Sequence, residues 1–319
     1  MAEFVFTVRK LSKAYERKKV LDEITLAFIA GAKIGVIGHN GSGKSTLLRI
    51  MAGVDRDFEG VAQPAEGLKI GYVSQEPELD ESLDVRGNIE QAVAPIRGLL
   101  TTFDELNEKL ATELSDAEMQ KVLDALERVQ TEIDHKDAWE LDHRVEQAMH
   151  ALATPPGDAK VSTLSGGERR RVALCQTLLA QPDMILLDEP TNHLDADTVH
   201  WLERHLAAYP GCVIAITHDR YFLDNVANWM LELDHGEARP YEGNYSTYLE
   251  QKAKVLRDEE KQEASKKRRL TAELEWIRSN PKGRMTKAKA RVSNFEQLRD
   301  EVATLSAAGQ IQLQIPSGG

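Results

Sequence analysis

Cysteine is nearly absent: two residues in 319, Cys175 and Cys212, each set in an apolar run. Two thiols cannot build a disulfide framework, so the fold must rest on a hydrophobic core, and a reducing cytoplasm is the simplest expected setting. Long apolar runs are missing too. No stretch approaches the roughly 20 residues that cross a bilayer, and the opening MAEFVFTVRK lacks the charged start, apolar middle and cleavage site of a secretion signal. No membrane partner is therefore expected. Positive charge is in short supply as well. There are 40 Lys and Arg against 52 Asp and Glu, for a net charge of −12, which taken alone argues against a nucleic-acid partner. The deficit is uneven, however. From Gln251 to Arg299 there are 15 basic and 7 acidic residues, so that stretch carries +8 and the remainder −20. An anion-binding element attached to an acidic body is the simplest reading.

What remains is ample for a core: 41% of residues are hydrophobic, and the 29% that are charged suit long exposed helices. Strand patterns occur at 3–8 and 24–30, and recur at Lys33–Ile37, Lys69–Val73, Met184–Leu187, Val213–Thr217 and Trp229–Leu233. Helical stretches separate the later ones, which predicts an α/β layered domain with a largely parallel sheet. Between Pro95 and His135, Leu99, Phe103, Leu106 and Leu110, then Met119, Leu123, Leu126, Val129 and Ile133, recur at helical spacing, with Ser115-Asp116 as the cap between two helices. Such a pair is either part of a helical subdomain or a protruding arm. A second helical hairpin is expected from Ser246 to about Val302, broken at Asn280-Pro281-Lys282-Gly283.

Three motifs carry chemistry. Gly38-His39-Asn40-Gly41-Ser42-Gly43-Lys44-Ser45-Thr46 fits G-x-x-x-x-G-K-[ST], follows a predicted strand and opens a helix. Its backbone N–H groups and helix N-terminus suit phosphate oxygens, Lys44 suits the β- and γ-phosphates, and the Ser45 hydroxyl suits Mg²⁺. Ile185–Glu189 is an apolar strand ending in two acids. Such ends are often merely solvated, but beside a phosphate loop Asp188 can hold Mg²⁺ and Glu189 can orient the attacking water. Leu164-Ser165-Gly166-Gly167-Glu168 precedes a helix and is either a plain N-cap or a second anion-binding end.

The order of these motifs, phosphate loop, then LSGGE, then acidic strand, resembles the ATP-binding cassette (ABC) ATPases. That resemblance implies an ATP and Mg²⁺ site and an ATPase that needs two ABC domains for full activity. Gln75 in YVSQ matches the glutamine that the family places at the nucleotide and its metal. Asp195 in TNHLD matches the D-loop, His218 in ITHD matches the histidine at the γ-phosphate, and Tyr15 lies where family members stack an aromatic on adenine. The catalytic set implied is Glu189, His218 and Lys44. In the family the LSGGE motif, Leu164 to Glu168, completes the site of another domain. A chain with one phosphate loop and one LSGGE thus holds two half-sites and needs a second ABC domain, on the same longer chain or in a homodimer. The absence of an N-K-x-D guanine signature favours ATP.

Within the family, LSGGERRRVALC, DEPTNHLD, THDRYFLDNV and YEGNYSTYL look like the ABC-F proteins. These soluble, ribosome-binding ATPases carry two ABC domains joined by a helical linker. On that resemblance, 1–241 is a first ABC domain with antiparallel β and helical subdomains and an inserted arm at about 95–138. Residues 242–319 are the α-helical hairpin linker, and the second domain is absent. The implied function is a translation factor at the ribosomal tRNA exit site, touching P-site tRNA and ribosomal RNA. The alternative is the ATPase subunit of a transporter or a DNA-repair complex. Lys282, Arg284, Lys287, Lys289 and Arg291 crowd the hairpin tip with no acid between them, as phosphate-neutralising residues do.

Overall fold

The computed structural model describes residues 4–16, 18–112, 115–136 and 138–279. In chain order its elements are β1 (Phe4–Tyr15), β2 (Lys18–Ile29), β3 (Lys33–Ile37), α1 (Lys44–Met51), β4 (Glu59–Pro64), β5 (Ile70–Val73), α2 (Val85–Leu110), α3 (Asp116–His135), α4 (Leu141–Ala151), α5 (Gly166–Ala180), β6 (Met184–Asp188), α6 (Ala196–Ala208), β7 (Cys212–Ile216), α7 (Arg220–Val226), β8 (Trp229–Asp234), β9 (Glu237–Glu242) and α8 (Tyr245–Ser279).

A six-stranded sheet in the order β5-β6-β7-β3-β8-β9 forms the centre. Its first five strands run parallel, and β9 closes the edge antiparallel to β8. Every residue of β6 and β7 is buried, which explains why MILLD and CVIAI read as continuous apolar runs rather than alternating ones. An antiparallel sheet β2-β1-β4 packs over one face, and its Phe6, Leu11 and Leu21 share a core with Val36, Leu47, Leu48 and Leu186. The other face is covered by α2, α4 and α5 through Ile89, Val145, Leu174 and Ile185.

Two strands had no pattern to announce them. Glu59–Pro64 is exposed along nearly its whole length and is a strand because its main chain pairs with β1. Glu237–Glu242 is an edge strand whose Pro240 lacks an N–H to donate, a defect that only an edge tolerates. The first helix of the 95–138 pair also starts earlier than the hydrophobic pattern suggests. It opens at Val85, where the Asp84 carboxylate caps the Gly87 N–H at 2.6 Å, and it carries Pro95 in its interior. Buried Val85, Ile89 and Val93 hold the turns before the proline in place, so packing outweighs the missing backbone bond. At the far end of the pair, Ser115 and Glu118 form the reciprocal capping box that starts α3.

The chain divides into two compact units, Met1–Tyr248 and Leu249–Gly319. Within the first, the Tyr248 hydroxyl donates to buried Glu232 at 2.9 Å. In the second, α8 continues to Ser279 with Leu249, Val255 and Leu256 exposed. The expected return helix lies outside the described residues. Among those described, no helix is long and apolar enough to cross a membrane.

Candidate active site

Register along the central sheet brings the motifs to one edge. Val36 of β3 pairs with Ile216 of β7, and Ile216 pairs on its other side with Asp188 of β6. The phosphate loop, the acid pair and the turn holding His218 thus leave the carboxyl ends of three neighbouring strands, where ligands bind in open α/β sheets.

The loop from Gly38 to Gly43 owes its shape to glycine. Gly38 has φ +152, and a Cβ there would lie 2.3 Å from the Leu233 carbonyl oxygen. Gly43, at φ +100, precedes α1, and its backbone passes so near Val20 and Leu21 that a Cβ would meet both within 3 Å. With no side chain capping α1, the first N–H groups of that helix stay free to face an anion. Lys44 Nζ donates to the carbonyls of Gly38 at 2.9 Å and His39 at 3.1 Å. Burial pulls its pKa down, opposed by Glu189 and Asp188.

A cavity of about 540 Å³ opens over this loop. Tyr15, Asn40, Gly41, Gly43, Lys44, Ser45, Thr46, Gln75, Asp188, Glu189 and His218 all line it. Two loop residues named as nucleotide contacts, Ser42 and His39, do not. Ser42 is buried beneath the loop, and His39 turns outward, its Nδ1 3.4 Å from Asp234. Tyr15 is 45% exposed, with its hydroxyl 3.4 Å from Asp55 and 3.5 Å from the Thr46 hydroxyl, while the Lys13 ammonium lies 5.1 Å from its ring centroid. Its ring is therefore braced from below and open toward the cavity.

Asp188 ends β6 and is 4% exposed. Burial raises its pKa, against the Ser45 hydroxyl that hydrogen-bonds to it and the charges of Arg170 and Lys44. Glu189 adopts φ +56, unusual for a residue with a side chain and a mark of strain held at a site. Its N–H donates to the Ile216 carbonyl at 2.8 Å, which fixes the turn, and its carboxylate lies 3.5 Å from His218 Nε2. Burial first, then the neighbouring Asp188, raises the Glu189 pKa, with His218 pulling the other way. Buried Asp188 and partly buried Glu189, with a hydroxyl and the Gln75 amide nearby, form a hard oxygen donor set. That set fits Mg²⁺, which needs only one or two carboxylates when phosphate and water complete its shell. Among the described residues no three His, Cys, Asp or Glu side chains cluster into a self-sufficient metal cage.

The raised acids have a consequence for stability. A folded-state pKa above the unfolded one means that the folded chain binds the extra proton, so stability falls as pH climbs from the ordinary carboxylate value to the raised one. Above that window the nucleotide-free protein carries the full cost of ionised Asp188. Asp188→Asn should therefore raise the melting temperature at neutral pH, and the gain should disappear below about pH 4, where the wild-type carboxylate is already neutral. Thermal melts across pH, without nucleotide or Mg²⁺, check this. A variant no more stable than wild type at pH 7 would contradict it.

The LSGGE segment lies elsewhere. Ser165 caps α5 by accepting from the Glu168 N–H at 3.3 Å, while the Glu168 carboxylate accepts from the Ser165 N–H at 2.8 Å. Ser165, Gly166 and Gly167 face a separate hollow of about 1090 Å³ and are absent from the lining of the Lys44 cavity. Asp195 likewise caps a helix, α6, through the Thr198 N–H at 2.9 Å. The residue of that loop that does reach the Lys44 cavity is Asn192. The TNHLD motif contains Asn192 but nothing in its pattern gives that side chain a place. Val20, Ile216 and the buried Arg170 are equally silent in the sequence, since an apolar strand residue or one arginine among three carries no signal of its own. Lys282, Arg284, Lys287, Lys289 and Arg291 lie outside the described residues.

A family model described as ABC transporter matches residues 21–192, and a second with the same description matches 231–313. The chain is 52% identical over 318 residues to the energy-dependent translational throttle protein EttA of Mycobacterium tuberculosis (strain ATCC 25618 / H37Rv), a match covering 100% of this chain and 56% of that protein. It is 53% identical over 298 residues to EttA of Haemophilus influenzae, covering 93% of this chain and 53% of that one. It thus spans about half the length of the curated relatives it matches. Among solved structures, an ATP-binding subunit of an ABC transporter superposes with a TM-score of 0.56 at 19% identity, covering 78% of this chain and 93% of the other, a likeness of fold.

Proposed function

Since the chain belongs to the ABC ATPase family, and within it to the ABC-F group of the EttA proteins, we propose that it binds ATP with Mg²⁺ in the Lys44 cavity, hydrolyses it together with a second ABC domain, and serves translation on the ribosome. The observation that carries the ATPase reading is the convergence of Lys44, Ser45, Asp188, Glu189 and His218 on one cavity from three adjacent strand ends. Lys44 and the loop amides hold the β- and γ-phosphates. A bound Mg²⁺ supplies positive charge against the phosphate oxygens. Glu189 accepts a hydrogen bond from water and aims its oxygen at the γ-phosphorus. The new P–O bond forms as the bond to the β–γ bridging oxygen breaks, and the water proton moves toward Glu189, leaving ADP and phosphate. His218, against Glu189, steadies that carboxylate and the γ-phosphate.

The separation of Ser165–Gly167 from the Lys44 cavity supports a head-to-tail pairing, in which the α5 start of one domain covers the nucleotide of another. The second domain would belong to a longer form of this chain or to a second copy. Residues 1–241 then act as one ABC domain with the arm at about 95–138, and 242–319 as a linker. The names of the relatives and the basic cluster from Lys282 to Arg291 support a ribosomal partner, with tRNA and ribosomal RNA at the tRNA exit site as the surfaces met, in the cytoplasm.

Ribosome co-sedimentation tests this reading. The chain joined to a second ABC domain should pellet with ribosomes in a slowly hydrolysed ATP analogue and be released in ADP. Neutralising Lys282, Arg284, Lys287, Lys289 and Arg291 together should weaken binding. It should also reduce the slope of log affinity against log salt by roughly 0.7 to 0.9 for each phosphate that is no longer neutralised. Failure to pellet in any nucleotide state would return the chain to the transporter or repair class.

A further inference from the structure

Three arginines follow the LSGGE motif, and the fold treats them differently. Arg169 faces outward to Glu81 at 3.1 Å, and Arg171 reaches the His193 carbonyl at 3.5 Å. Arg170 alone of the three turns inward and is 5% exposed. A guanidinium cannot shed its charge, so burying it demands partners that stay in place. Arg170 donates to the main-chain carbonyl of Gln75, and its charge reaches the Asp188 carboxylate. Gln75 in turn lines both hollows, the one over Lys44 and the one onto which Ser165 and Gly166 open.

The same side chain is rooted in α5, whose Val172, Leu174, Cys175 and Leu178 are locked into the core. A packed helix shifts as a body rather than by bending, so a force applied one turn in from its cap is felt at the cap. Ligand binding at Asp188 and Gln75 thus has a short mechanical route to the Ser165 capping box.

We propose that Arg170 is a positioning residue that couples the Gln75–Asp188 end of the nucleotide cavity to the Ser165–Glu168 start of α5, so that a filled site sets how this chain presents LSGGE to a second domain. This rests on the reading of the Lys44 cavity as the ATP site. Arg170 touches no reacting atom. It carries the state of one half-site to the other half-site of the same chain.

Hydrogen exchange on the full 319-residue chain, with and without ATP and Mg²⁺, separates the two readings. Slowed exchange at 38–46 reports nucleotide binding, and slowed exchange at 164–169 reports the coupling. Wild type should show both. Arg170→Met and Arg170→Gln should keep the first and lose most of the second, about a fivefold loss of ligand-induced protection at amides reporting local opening. Arg170→Lys, which can still donate to the Gln75 carbonyl, should recover part of it. A merely structural arginine would speed exchange in α5 equally with and without ligand, leaving the ligand-induced difference intact, and that result would overturn the proposal. So would protection at 164–169 that is missing in wild type while 38–46 is protected. Should the methionine variant not fold, glutamine against lysine decides the same question. Absence of protection at 38–46 in wild type would instead remove the ATP site itself.

Discussion

Glu189→Gln should leave ATP affinity within about twofold of wild type and slow hydrolysis by at least about 100-fold, the scale on which positioned acid–base groups act. The amide keeps the size of the carboxylate and sits in the same left-handed turn, with its N–H still held by Ile216. What it loses is the charged acceptor for the water proton. Because burial and Asp188 already raise the Glu189 pKa, the carboxylate is a stronger base than an exposed one, so more is lost on its removal. Lys44→Ala should fail in the opposite order, with binding weakened first, since among the described residues lining the cavity Lys44 carries the only ammonium or guanidinium. Titration with a fluorescent ATP analogue, followed by single-turnover phosphate release in the assembled two-domain protein, separates the two cases. Wild-type turnover with both equivalent glutamates changed would remove Glu189 from the mechanism.

Gly38→Ala should cost about 3 kcal/mol or more of folding stability, from a disfavoured backbone region and an overpacked contact together. The added methyl would meet the Leu233 carbonyl oxygen at 2.3 Å and the Ser42 hydroxyl at 2.6 Å. Neither can yield cheaply, for Leu233 belongs to the hydrogen-bonded strand β8 and Ser42 is buried under the loop. Any chain that does fold must move β3 away from β8 or distort the loop, so nucleotide binding should fall with stability. Gly41→Ala offers the contrast, since nothing lies within 4 Å of its Cβ and only the backbone strain of φ +79 remains. Chemical denaturation of both variants checks the difference. A midpoint for Gly38→Ala equal to that of wild type would show the loop to be more pliant than its packing suggests.

The candidate site was more legible in the residues than the outline of the fold was. Lys44, Ser45, Asp188, Glu189 and His218 are short-range signals, each tied to a strand end, and parallel strands in register must bring such ends together. The buried β6 and β7 announced themselves because both faces are covered. Elements held by main-chain pairing left no trace, since a hydrogen bond to β1 asks nothing of the side chains in Glu59–Pro64. The early start of α2 was hidden for a related reason: local rules set Pro95 as a boundary, whereas Ile89 and Val93 are buried against distant residues that no local pattern contains. Arg170 is the sharpest case. Its neighbours Arg169 and Arg171 have the same chemistry, and only the fold decides which of the three is turned into the protein.

The alignment of Val36, Ile216 and Asp188 across three strands acts as a molecular ruler. Adjacent strands lie about 4.8 Å apart whatever their sequence, so the gap between phosphate loop and acid is set in multiples of that pitch and not by the loops that join them. The chain can therefore lengthen or shorten the helical insertion between β5 and β6 at no expense to the site's dimensions, whereas one residue lost from β6 would swing Asp188 to the opposite face of the sheet. Diversity in what such a protein touches and constancy in how it handles a phosphate are, on this geometry, written into separate parts of the same polypeptide.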